Sequence, residues 1–511
     1  MSAEASAKCP DLRYHDPVLT YHVQNFGCRA TQADGAAIER QFQARGLVPA
    51  PAAQASLIIL NTCTVTNSAD QDARAAVRRI QRQNPLAKII VTGCYAQRAP
   101  EEVAALPGVN VVIGNSHKHQ LADLVLGENF AAGKDFLPIS ALTGNRELRA
   151  ENSIFVSDIF AHTELLAAPV FESASNIGGR EHDRTRPNLK VQDGCDNRCS
   201  FCVIPSVRGQ SRSLPASQII DEVNSLVAAG FRELVISGIN LGRWGRDLES
   251  PLPTSGFRKS RLEDLIRRIL SETKLEKLRI SSVEPMDWSD ELIALVAASP
   301  RIAKHAHVPL QSGSDAVLRR MHRKYRPWHY REKIEKIRSA MPTAAIGADV
   351  MTGFPGETDA EFESTRRLIE ELPFTYLHVF TYSARPGTPA AAMSNQVPIH
   401  VARERNQILR DLATSKKQIF MQSFLGKRLE AITLSAMQKR PDSDFTEALT
   451  DNYQKLFLKG RHEANRWIKA DVAAVEDGAL LAGLAVSTPS ASLGSVPLKL
   501  ADTFASAGIS V

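Results

Sequence analysis

Three short apolar runs near the amino terminus end alike. Tyr21-His-Val-Gln-Asn-Phe-Gly-Cys28, Leu57-Ile-Ile-Leu-Asn-Thr-Cys63 and Lys88-Ile-Ile-Val-Thr-Gly-Cys94 are each stopped by a cysteine. An unbroken apolar run of this length, bounded by a turn, is the pattern of a strand buried on both faces. Between the runs lie helical stretches, as in Ala69 to Gln83, where Arg74, Arg78 and Arg82 recur four apart on one face. Strands alternating with helices predict a parallel α/β sheet, whose ligands collect beyond the carboxyl ends of the strands. Cys28, Cys63 and Cys94 all fall there, so three thiols far apart in the chain can meet.

Further on, short strands recur with helices between them at Leu189–Gln192, Glu233–Ser237, Lys277–Ser282, His307–Leu310, Ala345–Met351 and Tyr376–Thr381. Six βα units predict a full or partial parallel barrel with its active site at the carboxyl ends of the strands. From Phe424 the pattern changes to alternating strands broken by Gly and Asp (Leu429–Leu434, Tyr453–Leu458, Trp467–Val472), the cue for a small antiparallel barrel. The expected organisation is an amino-terminal α/β sheet domain over 18–130, a linker region over 131–186, a central α/β barrel over 187–420, a small β-barrel over 424–487 and a flexible Ser/Ala/Gly-rich tail over 488–511.

The chain has 511 residues, 43% hydrophobic and 23% charged, which excludes disorder and collagen and leaves room for several cores. A net charge of +6 permits a polyanionic partner without demonstrating one. No segment offers the roughly 18 apolar residues of a membrane helix, and Met1 to Asp16 lacks the apolar core of a secretion signal, so no membrane association and a cytoplasmic location are expected. In that compartment thiols stay reduced, and the seven cysteines are read for metal or catalysis rather than for disulfides. Cys9 lies outside every motif, and His182 is read as a linker residue.

Cys195-Asp-Asn-Arg-Cys199-Ser-Phe-Cys202 follows the first barrel strand. Three thiols this close suit a 4Fe-4S cube that keeps one iron open for a small molecule. Zinc with a distant fourth ligand, and thiols that serve only packing, remain the alternatives. The spacing C-x3-C-x2-C is the signature of radical S-adenosylmethionine (SAM) enzymes, and the sequence resembles that superfamily. The resemblance implies that the open iron chelates SAM and that reduction cleaves it to a 5′-deoxyadenosyl radical. It also places Ser237-Gly238-Ile239-Asn240 beside the methionine moiety and Gly347-Ala-Asp349-Val-Met-Thr-Gly353-Phe-Pro-Gly356-Glu357 beside the adenosyl group. Glu284, Gln311 and Tyr382, in the blocks Ser281–Pro285, His307–Ser314 and Phe380–Pro389, complete the expected cofactor contacts.

With the trio Cys28, Cys63 and Cys94 ahead of this barrel and a small β domain behind it, residues 18 to 487 resemble the methylthiotransferases. That family implies two [4Fe-4S] clusters, the second held by the amino-terminal trio and delivering sulfur, and a terminal RNA-binding barrel called TRAM. Four details, Asn61–Asn67, Gln192–Cys195, Ser281–Pro285 and Val203–Gly209, resemble the branch acting on threonylcarbamoyladenosine beside the tRNA anticodon. Isopentenyladenosine, or an Asp of a ribosomal protein, is the alternative target within the family. A non-catalytic iron-sulfur RNA-binding protein is the alternative of another class. The expected partners are a tRNA anticodon stem-loop and a reductant such as flavodoxin or ferredoxin, with the enzyme a monomer and the sulfur donor unidentified. Thr31 and Gly35 depart from the family's first motif, which puts contacts behind the Cys28 ligand in doubt.

The run Arg319 to Arg338, with nine Lys/Arg interleaved with Tyr325, Trp328 and Tyr330, can grip phosphates and stack bases. The competing reading is a solvated helix face with its aromatics in the core. The terminal β domain balances nine Lys/Arg against nine Asp/Glu, so bulk charge does not support RNA binding there beyond local patches such as Lys455, Lys459 and Arg461.

Overall fold

The computed structural model describes residues 19–127, 153–162, 186–252, 256–440 and 443–484; Cys9, His182 and the tail 488–511 lie outside them. The amino-terminal strands are β1 (Thr20–Asn25), β2 (Val48–Pro49), β3 (Leu57–Thr62), β4 (Lys88–Gly93), β5 (Val109–Gly114) and β6 (Ser153–Phe155). They form one parallel sheet in the order β2-β1-β3-β4-β5-β6. Helix α1 (Arg29–Gln43) packs Ile38 and Phe42 on one face with Tyr21, Ile59 and Ile113, and helix α2 (Asn67–Gln83) packs Ala73, Val77 and Ile80 on the other with Ile58 and Val91. Cover on both faces is why β3 is buried at every residue and reads as an unbroken apolar run. The edge strand β6 falls within the stretch expected to be a linker; three residues are too few to show a period.

In the central domain β7 (Asn188–Asp193), β8 (Arg212–Ser213), β9 (Glu233–Gly238) and β12 (Lys277–Ile280) form a sheet in the order β12-β9-β7-β8. A small antiparallel hairpin, β10 (Glu249–Leu252) and β11 (Gly256–Lys259), projects between β9 and β12 in sequence. The strands β13 (His305–His307), β14 (Ala345–Thr352) and β15 (Tyr376–Thr381) make a second, parallel sheet. Single parallel bridges, Leu278 to Ile302 and Ser282 to His307, join the two. Six parallel strands therefore curve into a partial barrel, as expected. One strand is displaced: β13 ends at His307 rather than running to Leu310, because Pro309 has no N–H to give a ladder and Gln311 turns into the left-handed region at φ 63°.

Gly347 is in register with His307 on one side and Tyr376 on the other, and a Cβ there would run into the Tyr376 ring. Gly347→Ala is expected to destabilise the barrel by about 1–3 kcal/mol through overpacking, read as a lowered melting temperature. An unchanged melt would show that the Tyr376 ring has room to give.

A long helix, Ile399–Gln422, leads to the last module. There β16 (Arg428–Arg440), β17 (Ser443–Thr450), β18 (Lys455–Lys459), β19 (Trp467–Glu476) and β20 (Ala479–Leu484) close into a barrel in the order β16-β17-β18-β20-β19, around Ala431, Ala448, Leu456, Leu458, Ala470 and Leu480. Closure removes exposed strand edges. This barrel docks at the amino ends of the central strands, where Asn452 Nδ2 donates to the Thr343 carbonyl at 3.0 Å and Asn465 Nδ2 to that of Gly230 at 2.8 Å. Arg279 reaches from β12 to the carbonyls of Thr450 and Asp451. Among the described residues no helix is long and apolar enough to cross a membrane.

Candidate active site

The first three thiols are brought together by strand order. β1, β3 and β4 are neighbours in a parallel sheet, where adjacent strands lie about 4.8 Å apart; a cysteine follows β3 and β4 at once and β1 after Phe26 and Gly27. Cys28 caps α1, Cys63 follows β3, and Cys94 opens helix α3 (Cys94–Arg98). Gly27, at φ +102°, lets the first loop press on the second: a Cβ there would stand 2.5 Å from Cys63 Cβ and 2.9 Å from its Sγ. Burial, and then Cys94 and Cys28, push the Cys63 thiol up to about 12, so three thiolates at this corner need a cation to hold them. Asn115 Nδ2 donates to Cys94 Sγ at 3.5 Å, and the Thr31 hydroxyl lies 3.6 Å from Cys28 Sγ. Thr31 thus keeps a polar contact behind this thiol, and Gly35 leaves the space that the Asn25 side chain fills as it accepts from Asn61 at 2.9 Å. The two motif departures are accommodated.

The second trio sits in the loop after β7. Gly194 has φ +70°, and a Cβ there would strike the Gln210 carbonyl. Gln192 Nε2 donates to the carbonyls of Asp193 and Gly194 and to Ser211 Oγ, each at 2.9 Å, fixing the loop from below. The sulfurs face donors: Asn197 N and Asn240 Nδ2 reach Cys195 Sγ at 3.4 and 3.5 Å, and Arg323 Nη1 reaches Cys199 Sγ at 3.2 Å. Hydrogen bonds to thiolate sulfur are what tune an iron-sulfur centre. Burial pushes the Cys202 thiol up to about 12. Arg323 is buried and also pairs with Glu284, whose carboxyl is itself pushed up by burial.

Arg323 comes from the basic run, most of which is a solvated helix face. Tyr325 and Tyr330 are core residues whose hydroxyls donate to the carbonyls of Leu310 and Val308, each at 2.7 Å, while Trp328 is 56% exposed. The inward turn of this one arginine was not read from the sequence.

Of the residues expected to meet SAM, Asn240 touches Cys195 and Glu284 is tied to Cys199 through Arg323. Ser237 Oγ, Asn240 Oδ1, Gln311 Oε1 and the Tyr382 hydroxyl are buried polar atoms with no hydrogen-bond partner among the described residues. Such atoms cost stability unless a ligand pairs them. Gln311 adds a strained backbone, of the kind found at ligand sites. Gly238 lies where a Cβ would come within 2.8 Å of Gln192 Oε1. Asp349 holds its Oδ1 at 3.3 Å from His307 Nε2. Gly353 has φ +74°, and its open side is filled by Ala402 of the long helix; its N–H donates to Glu357, which accepts from Arg405 of that helix, each at 2.8 Å. This glycine is demanded by helix packing.

The two trios share a wall. Cys94 packs with Val203, Ile204 and Val207, within five residues after Cys202, and Asn115 Nδ2 donates to the Val207 carbonyl at 2.7 Å. Beside them Asp34 of α1 pairs with Lys118 at 3.0 Å, with Arg208 at 2.9 Å and with Lys190, while Asp193 pairs with Lys190 at 2.8 Å and Arg208 at 3.0 Å. Three cations face two carboxylates, which leaves one positive charge buried close to Cys28 and Cys94. The excess suits an anionic thiolate centre.

Asp34→Asn is expected to cost about 3–5 kcal/mol, because it strands cations in the interior, and to lower the melting temperature. A melt within a degree or two of the parent would show the network to be neutral. Burial alone would raise both carboxyls, yet Lys118, Lys190 and Arg208 hold Asp34, and Arg208 and Lys190 hold Asp193, well below the usual range. A depressed folded-state value makes this contribution complete above roughly pH 4 and progressively lost as pH falls below it.

Residues 20–114 match the profile described as Uncharacterized protein family UPF0004, and residues 189–369 that of the Radical SAM superfamily. Threonylcarbamoyladenosine tRNA methylthiotransferase MtaB of Bacillus subtilis (strain 168) is 36% identical over 447 residues, spanning 87% of this chain and 92% of that one. The chain belongs to the tRNA methylthiotransferase family. The family also takes in a tRNA-2-methylthio-N(6)-dimethylallyladenosine synthase of Novosphingobium aromaticivorans, 33% identical over 416 residues, covering 81% of this chain and 86% of that one. The radical SAM methyltransferase TsrM of Kitasatospora setae, solved with tryptophan and a SAM analogue, shares the fold alone, at a TM-score of 0.50 and 15% identity over 73% of this chain and 75% of that one. Membership makes the protein a SAM-dependent tRNA methylthiotransferase with the family's cofactors, two [4Fe-4S] clusters and SAM. The resemblance to the threonylcarbamoyladenosine branch, read from Asn61–Asn67, Gln192–Cys195, Ser281–Pro285 and Val203–Gly209, holds.

Proposed function

We propose that this methylthiotransferase replaces the C2 hydrogen of N6-threonylcarbamoyladenosine at position 37 of tRNA, next to the anticodon, with a methylthio group, giving 2-methylthio-N6-threonylcarbamoyladenosine. The reading is carried by two three-thiol sets linked through the helix Ile204–Arg208, which begins two residues after Cys202 and packs on Cys94. Relatives named for threonylcarbamoyladenosine cover most of the chain. Cys195, Cys199 and Cys202 would hold the first cluster, with SAM among Gly238, Asn240, Glu284, Gln311, Tyr382, Asp349 and Gly353. Cys28, Cys63 and Cys94 would hold the second. Bound there, the clusters supply the electron that cleaves SAM and the sulfur that is transferred.

The remaining work belongs to the chain. A C–H bond between ring nitrogens offers no acid or nucleophile a handle, so the protein's part is orientation and exclusion of water. Arg323, Asn197 and Asn240 donate to the cysteine sulfurs. The unpaired atoms of Ser237, Asn240, Gln311 and Tyr382 offer polar anchors to the amino acid and ribose parts of SAM. A loop base turned out of its stack fits between two such walls better than a paired one. The closed terminal barrel is taken as a TRAM-like RNA-binding module; two of its surface cations, Lys455 and Arg461, are paired with Glu447 and Asp444. A monomer receiving electrons from a flavodoxin or ferredoxin in the cytoplasm completes the reading.

Mass spectrometry of nucleosides from a strain lacking the protein tests it. The methylthio form of threonylcarbamoyladenosine is expected to vanish while that of dimethylallyladenosine persists. The reverse pattern would sink the substrate assignment.

A further inference from the structure

The block Phe380–Pro389 gives the site Tyr382, yet the residues that follow Tyr382 tie the two cysteine trios together. Tyr382 N–H donates to the Thr352 carbonyl at 2.9 Å, and from there the chain leaves β15 and crosses to the amino-terminal domain. Ser383 Oγ accepts from the Asn67 N–H at 3.2 Å, and the Arg385 guanidinium donates to Thr64 Oγ1 at 2.7 Å, to Asp70 Oδ2 at 2.5 Å and to Asn67 Oδ1. Thr64 directly follows Cys63. The chain then returns, and Ala390 N–H donates at 2.8 Å to the carbonyl of Ser200, which stands between Cys199 and Cys202.

This strap is stiff. Thr388 N–H donates to the Arg385 carbonyl at 3.1 Å across Pro386 and Gly387, and Gly387 has φ +83°, the pattern of a type II turn. The Thr388 hydroxyl donates to the same carbonyl at 2.8 Å. At its root the Phe354 ring stands edge-on to Tyr382, with centroids 5.6 Å apart, and edge-on to Phe201 of the second trio's loop at 6.4 Å.

Arg385 is 1% exposed. A buried guanidinium is costly and is kept where its planar fork meets several acceptors at once. The corner it enters is already served, since Asp70 pairs with Arg98 at 3.0 Å and accepts from the Thr64 hydroxyl at 2.6 Å. A second arginine, arriving 315 residues after Asp70, therefore serves the join between the domains rather than the fold of either. We infer that Arg385 is a positioning residue for sulfur transfer: through the strap it sets the place of the Cys63 loop relative to the Cys199–Cys202 loop, so that radical and sulfur reach the same carbon. This rests on the two trios holding the two clusters, as proposed above.

The test measures 5′-deoxyadenosine, methylthio nucleoside, iron and sulfide in the anaerobically reconstituted full chain with a threonylcarbamoyladenosine stem-loop. Arg385→Met is expected to keep both clusters and, with Asn197, Asn240 and Arg323 still facing the second trio, to cleave SAM within about twofold of wild type; product per deoxyadenosine falls on the order of 10- to 100-fold, the cost of a misplacement near 1 Å. Arg385→Lys keeps the charge without the fork and recovers part of the ratio. Should Arg385→Met fail to fold, Ser383→Ala combined with Asn67→Ala, which removes the two contacts at Asn67 and leaves Asp70 paired, is read in its place and lowers the ratio by a smaller factor. Product and deoxyadenosine that fall together, or a ratio that stays at the wild-type value, give Arg385 a structural role alone and overturn the inference. Loss of one cluster overturns it too, by making the strap a support for the ligands. In each of these cases the assignment of the trios stands; it fails separately if Cys63→Ala still inserts sulfur, and the inference fails with it.

Discussion

Cys63→Ala is expected to leave reductive cleavage of SAM running while sulfur insertion stops. The thiol is 6% exposed and flanked by the loops of Cys28 and Cys94. Alanine removes one sulfur from a corner already framed by Gly27, so the sheet keeps its form and only the ligand is lost. The measurements are 5′-deoxyadenosine by chromatography, methylthio nucleoside by mass spectrometry, and iron and sulfide per chain, which should fall from two clusters to one. Undiminished product would reduce the amino-terminal trio to three packed side chains.

Cys199→Ala should abolish both outputs. Its sulfur is the one that Arg323 addresses, and its loss leaves that buried guanidinium with Glu284 as its remaining charged partner. The arginine can be tested alone. Arg323→Met keeps the three thiols and removes a donor from behind one of them, a change that typically costs about 10- to 100-fold at a metal centre, so SAM cleavage should slow by that factor without vanishing. Deoxyadenosine formed at wild-type rate in Cys199→Ala would remove the radical chemistry from this loop.

Strands buried on both faces were plain in the chain, because an apolar run ended by a turn has few other interpretations; β3, β4, β7, β9, β12 and β14 were found in this way, β1 and β15 were placed although mostly half-buried, and β13 was placed late. Strands β17 and β20 were not: Ser443–Thr450 alternates poorly, and Ala479–Leu484 is a short apolar stretch that fits a helix as well. The cysteines were legible since their spacing is itself the signal. What surrounds them was not, because the partners meet only through the fold. Arg323 lies 124 residues from Cys199, and Lys190 lies 156 from Asp34. Gly353 shows a subtler limit: its need to be glycine is visible in a Gly-rich stretch, yet the cause, contact with Ala402, belongs to a helix that begins more than forty residues later.

The helix Ile204–Arg208 is only five residues long, begins two residues after Cys202 and lies flush against Cys94. A partition so short, pinned against Cys94, would leave the spacing of the two centres that the thiol sets would hold to be set during folding. Adjustment would then fall to the RNA, and tRNAs would be sorted in part by how readily their anticodon loops deform to offer one nucleotide.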